Sequence, residues 1–251
     1  MLLRAEQLEQ HLANALARSN GQLAPLYVIH GDEPLLALEA ADAVRAAARK
    51  RGFAEREVFT AERGFDWSEF AHAGASRSLF GGDKIVELRL PTGKPGTDGA
   101  AAIAAYCARL DPQMLTLVSL PRLDRAAQSS AWFGALGAAG AVVEVWPVER
   151  ARLPEWIGAR LARQGQRASR EVLAFLAERV EGNLLAAHQE VQKLALLAPL
   201  GELALEAVAG AVASVARYDP YAAAEALVAG DLGRFVRVLH GLRGEGEAPT
   251  F

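Results

Sequence analysis

Residues Leu26–Lys50 read LYVIHGDEPLLALEAADAVRAAARK: an apolar run, a glycine turn at Gly31 and then a long helical segment. That layout could hold a nucleotide, because the N–H groups and the dipole at a helix start favour phosphate. Hydrolysis needs more. A working phosphate loop is Gly-x-x-x-x-Gly-Lys-[Ser/Thr], in which the Lys neutralises phosphate and the hydroxyl holds Mg²⁺. The turn here, His30-Gly31-Asp32-Glu33-Pro34-Leu35-Leu36, has no Lys, no second Gly and no Ser or Thr. Asp32 and Glu33 place carboxylates at the positive end of the helix, and Pro34 removes a donor, so the site reads as capped by its own side chains. A metal-holding strand should end in an acid, yet MLTLVSL ends in Ser119-Leu120-Pro121, and Asp124 comes too late. Elsewhere, Gly93-Lys94 is followed by Pro95 and has Leu88 at the first glycine position, while Gly81-Gly82 precedes a strand. The turn at Gly31, Asp32, Glu33 and Pro34 is therefore read as an inactive phosphate loop.

Other chemistry is sparse. His11, His30, His72, His188 and His240 are scattered, without a carboxylate or second His at metal-ligand spacing, so structural or surface roles are expected and no metal. No Gly-x-Ser-x-Gly elbow is present. The single cysteine, Cys107, rules out an internal disulfide framework and reads as a buried thiol on the inner face of a helix. Arg150, Arg152, Arg160, Arg163, Arg167 and Arg170 form a basic set partly balanced by Glu149, Glu155 and Glu171. A solvated helix face is the favoured reading, and a DNA contact through Arg160, Arg163 and Arg167 the sharper one. In ASRSLFGGDKIVELRL, Ser78-Leu79-Phe80 sits between a helix and a strand. Such a Leu-Phe pair is either tucked into the core, as pattern alone favours, or displayed to fill an apolar pocket on a partner.

The elements that must position these residues alternate. Leu26–His30, Glu57–Glu62, Lys84–Leu90, Met114–Leu120 and Ala141–Val148 read as strands with helical stretches between them, which implies a parallel sheet with helices on both faces. After Pro147 the strand signal stops and the texture is helix only: Pro154 opens one helix, Ser169 precedes a second and Asn183 caps a third. Further helices follow in ELALEAVAGAVAS and from Pro220 to Leu242. The boundary is placed near Trp146–Arg150, and a further helical unit begins near Tyr218. Its two helices are too few for a core.

With a formal net charge of −3, the chain is not a protein that grips nucleic acid by charge alone. Its apolar stretches are broken well short of a membrane span, and Met1 precedes an amphipathic stretch instead of a signal core, so a cytoplasmic protein without a membrane partner is expected.

Five stretches in order, LYVIHGDEPLL, REVFTAERGFDW, SLF before the third strand, LDRAAQSSAWFGAL and VEGNLLAAHQEVQKLALL, give a family resemblance. Across essentially the whole chain the sequence resembles the delta-subunit family of bacterial DNA polymerase III clamp loaders. The resemblance implies a degenerate AAA+ module: a RecA-like α/β domain over residues 1–147, a three-helix lid over 148–216 and the start of a helical collar over 217–251. The collar is expected to continue beyond Phe251. It implies a subunit that needs no cofactor and does not bind ATP, in an assembly with DNA-directed DNA polymerase activity. Active relatives carry a lid arginine shortly after a glycine, and Gly182-Asn183-Leu184-Leu185 has none. Leu79 and Phe80, with Ser78 beside them, match the family's clamp-binding element, which reverses the preference for the core. The implied partners are the sliding clamp (beta subunit), the ATPase subunits and delta prime, and primed DNA within the assembly. The alternative is a divergent AAA+ nucleotide-binding ATPase, which would be sensitive around Gly31 instead of at Leu79-Phe80.

Overall fold

Near-continuous apolar runs such as LYVIH and MLTLVSL have no polar face to give to water, and they form strands buried on both sides. The computed structural model describes residues 1–17, 22–73, 83–180, 183–211 and 220–244. The first unit, Met1–Pro147, runs β1 (Leu2–Arg4), α1 (Ala5–Ala17), β2 (Leu26–Gly31), α2 (Pro34–Lys50), β3 (Glu55–Thr60), α3 (Trp67–Ala73), β4 (Lys84–Arg89), α4 (Gly96–Cys107), β5 (Met114–Pro121), α5 (Arg125–Gln128), α6 (Ala131–Ala139) and β6 (Ala141–Val145). The strands form one six-stranded sheet in the order β1-β6-β2-β5-β4-β3, and every pairing is parallel.

One face carries a core of Val28, Val86, Leu88 and Val118 under Phe70 of α3, Ile103 of α4 and Trp132 and Leu136 of α6. The other buries Tyr27, Ile29, Leu115, Leu117 and Val143 under Leu8 and Leu12 of α1 and Val44 and Ala48 of α2. Cys107 packs, half-buried, against the first core. Burial pushes its thiol up to about 11, which keeps it protonated near neutral pH.

The sheet differs from the sequence expectation at its margins. β3 begins and ends two residues before the expected Glu57–Glu62, because its ladder with β4 runs from Glu55↔Lys84 to Thr60↔Arg89. β6 stops at Val145 instead of Val148. The sixth strand, β1, was not expected: three residues pair with β6 and lead directly into α1.

The second unit, Val148–Phe251, has a 3₁₀ turn at Arg150–Arg152 and then α7 (Leu153–Arg163), β7 (Gln166–Ala168), α8 (Arg170–Arg179), α9 (Leu184–Leu197), β8 (Gly201–Leu203), α10 (Leu205–Ala211), α11 (Pro220–Val228) and α12 (Leu232–Gly244). Pro154 lies in the first turn of α7, and the Ser169 and Asn183 side chains accept from the N–H groups of Val172 and Ala186. The expectation of helix only is corrected by β7 and β8, which pair in parallel. Gln166 ties β7 to the end of α9. Buried on β7, it donates to the carbonyls of Leu194 (2.9 Å), Ala198 (3.2 Å) and Pro199 (3.2 Å), which satisfies the end of α9. Helical spacing along α7 puts Leu153, Ile157 and Leu161 on one face, and all three are buried, as are Leu176 of α8 and Val191 and Leu194 of α9.

Candidate functional site

Gly31 ends β2 between β5 and β6, opposite Pro121 and Val145. The carboxyl edge of a parallel sheet is where such folds place ligands. The glycine is required by packing: a Cβ here would lie 1.8 Å from the Val145 carbonyl oxygen. Its presence is thus explained without any phosphate.

The helix start behind it already holds an anion. Glu33 is the N-cap of α2, accepting from the Leu35 N–H at 3.3 Å, and Pro34 occupies the first turn. Burial pushes the Glu33 carboxyl up, and the Leu35 hydrogen bond opposes this in part. Asp32 does not cap. It accepts from Arg122 Nη1 at 3.1 Å, so the two carboxylates expected to share one task perform different ones.

Arg122 was not singled out from sequence. It follows β5 immediately and reaches back across 90 residues of sequence to Asp32, a contact with no local signal. Its guanidinium also lies over the Trp146 ring, 4.9 Å from the centroid. Trp146 Nε1 donates to Glu144 at 3.4 Å, and the other Glu144 oxygen is 4.0 Å from His30 Nε2. His30 is 2% exposed and meets Phe133 edge-on at 5.4 Å between centroids. Burial lowers its pKa, with Glu144 opposing, so near neutral pH the ring is uncharged. Asp124, dismissed as a metal ligand for lying too late, caps α5 by accepting from the Ala127 N–H at 2.7 Å. Asp32, Arg122 and Trp146 therefore stand at the mouth of the turn, with a carboxylate on the helix dipole behind them.

The arginines expected to face DNA belong to elements of the second unit. Arg160 stacks on Trp156, 3.9 Å from the ring centroid, and donates to His188 Nδ1 at 3.0 Å. Arg163 is exposed in the last turn of α7, and Arg167 is exposed on β7. Ser78, Leu79 and Phe80, together with Gly81, Gly82 and Gly182, lie outside the described residues.

Residues 27–145 match the family model described as DNA polymerase III, delta subunit. The chain is 33% identical over 237 residues to the DNA polymerase III subunit delta of Escherichia coli (strain K12), an alignment covering 93% of this chain and 68% of that one. The subunit delta of Haemophilus influenzae is 28% identical over 248 residues, covering 98% and 70%. In fold, the chain is similar to the Bacillus subtilis DNA clamp loader delta protein, with a TM-score of 0.60 and 18% identity, covering 96% of this chain and 73% of that structure.

Proposed function

The chain belongs to the DNA polymerase III delta-subunit family, and from that premise we propose that it binds the sliding clamp and opens its interface for loading on primed DNA, without hydrolysing ATP itself. Kinship supports the clamp half of this reading. The non-hydrolysing half is carried by one observation: the turn at Gly31 is occupied by Glu33 on the α2 start and by the Asp32–Arg122 pair at its mouth. A phosphate there would have to displace both and would find two carboxylates in its place.

In this mechanism the work is done by binding. Leu79 and Phe80, flanked by Ser78, enter an apolar pocket on the clamp (the beta subunit), as compact anchors do. The chain opens the clamp only to the extent that it binds the open form more tightly than the closed one. ATP acts in the partner ATPase subunits, which with delta prime complete the loader in the cytoplasm. Residues 1–147 supply the clamp-binding domain, 148–216 the lid and 217–251 the start of the collar that joins the other subunits. The chain adds no catalysis to the DNA-directed DNA polymerase assembly it serves. Arg160, Arg163 and Arg167 are its candidate DNA-facing residues.

Two titrations test this. Binding to the sliding clamp by surface plasmon resonance is expected to fall at least tenfold in Leu79→Ala/Phe80→Ala, with circular dichroism unchanged. A fluorescent ATP analogue is expected to show no saturable binding to the wild-type chain. Clamp affinity unchanged by the double substitution would refute the assigned contact, and stoichiometric nucleotide binding would favour a divergent AAA+ ATPase.

A further inference from the structure

The two faces of the six-stranded sheet are not covered alike. On one, the core under α3, α4 and α6 extends to Phe59 on the edge strand β3. On the other, the core under α1 and α2 takes in Ile85 of β4 and, among the described residues, nothing from β3. Two helices about 10 Å wide span about four strands spaced about 4.8 Å apart, so a margin of the sheet stays open. Arg56, Val58 and Thr60 of β3 lie on that margin beside Glu87 and Arg89 of β4, with Val58 opposite Glu87 and Thr60 opposite Arg89. Leu38, Asp42, Arg45 and Arg49 form the adjoining stripe of α2.

Glu87 organises this surface. It is 1% exposed, and three guanidiniums hold it: Arg45 Nη1 at 3.1 Å and Arg56 Nη2 at 2.7 Å on one oxygen, and Arg89 Nε at 2.9 Å on the other. Burial alone would raise its carboxyl, but the hydrogen bonds from Arg89 and Arg56 and the charge of Arg45 outweigh that and hold it below the usual range. The carboxylate is thus a fixed anion that holds Arg56 and Arg89, both partly exposed, in place. The charges do not balance: Arg45, Arg49, Arg56 and Arg89 share the surface with Asp42 and Glu87. Val58 and Leu38, 41% and 56% exposed, add two apolar positions.

We propose that this margin docks an acidic, partly apolar segment of a protein partner. Carboxylates of the segment meet guanidinium forks already held in place, and its apolar side chains cover Val58 and Leu38. Nucleic acid is the poorer fit. A phosphate backbone has no use for exposed Val58 and Leu38. The inference requires none of Ser78, Leu79 and Phe80, so it stands apart from the clamp contact.

The test places photoreactive benzoylphenylalanine at Thr60, which is exposed on the margin and outside the Glu87 network. The chain is irradiated in the reconstituted assembly with the sliding clamp, the ATPase subunits, delta prime and primed DNA, and adducts are mapped by mass spectrometry. The expected adduct is on a protein segment rich in Asp and Glu. Its yield should fall about tenfold with Val58→Asp, which removes an apolar contact and sets like charge against the partner. An adduct on DNA, an adduct on a segment without acidic excess, a yield unchanged by Val58→Asp, or no adduct at all overturns the proposal. Clamp binding measured in parallel with Leu79→Ala/Phe80→Ala tests the other reading separately.

Discussion

Two arginine–carboxylate sites among the described residues of the first unit are built differently. At the β3–β4 margin, Glu87 is buried and shared by Arg45, Arg56 and Arg89, which come from a helix and two strands. At the Gly31 turn, Asp32 and Arg122 meet with side chains 37% and 57% exposed. Burial decides what each can do. A buried carboxylate must be fully paired, so its partners are fixed by the fold and the fold depends on them. An exposed pair is screened by water and contributes little to stability, yet it can still occupy the space and the charge that a ligand would need. The first site is therefore an organiser of structure, and the second is a loosely held plug.

Removing Glu87 should separate the two most strongly. Glu87→Ala strips the carboxylate from Arg45, itself 7% exposed, and leaves a buried guanidinium with only Asp42 beside it. The expected loss is about 3–5 kcal/mol, read as a fall of about 10 °C in Tm by calorimetry. A loss below about 1 kcal/mol would mean that the network behaves like a surface pair and that its burial has no energetic consequence.

Acid should distinguish the sites by sign. The Glu87 carboxyl is held below its ordinary range, so its stabilisation is present above the unfolded value, about 4.3, and is lost as pH falls through the depressed folded value. The Glu33 carboxyl is pushed up by burial, so its ionisation opposes folding as pH rises through the raised value. Glu87→Gln is therefore expected to flatten the stability profile below about pH 4, while Glu33→Gln flattens it just above the ordinary glutamate pKa. Urea midpoints across that range would show it. Identical profiles for the two variants would contradict the contrast.

How much of this could be read from the chain follows the same division. The strands β2, β5 and β6 announce themselves as apolar runs because both of their faces are buried. The expected β3 starts two residues late because Glu55 and Arg56 look like loop, and only the ladder to β4 makes them strand. β1, β7 and β8 are three residues each, too short for periodicity to register. At the turn, the missing Lys and the presence of Asp32, Glu33 and Pro34 were legible, since capping is local. Arg122 was not, and neither was the grip on Glu87, whose partners Arg45 and Arg56 are 42 and 31 residues away. An arginine inside a helix reads as a solvated residue until the strand it faces is known.

The smallest effect belongs to the Asp32–Arg122 pair, and its smallness is informative. A double-mutant cycle over Asp32→Ala and Arg122→Ala should give a coupling of about 0.5 kcal/mol in dilute buffer, shrinking toward zero near 1 M salt. Arg122→Ala also removes the guanidinium from the Trp146 ring, so its single-mutant loss should exceed that of Asp32→Ala by about 0.5–1 kcal/mol. A coupling above about 2 kcal/mol that survives salt would place the pair in the class of Glu87, as a structural element that happens to lie at the turn. Weak, salt-sensitive coupling leaves the other reading in force: the side chains at this turn are held there by little, and what they contribute is occupancy of the helix start and the charge beside it.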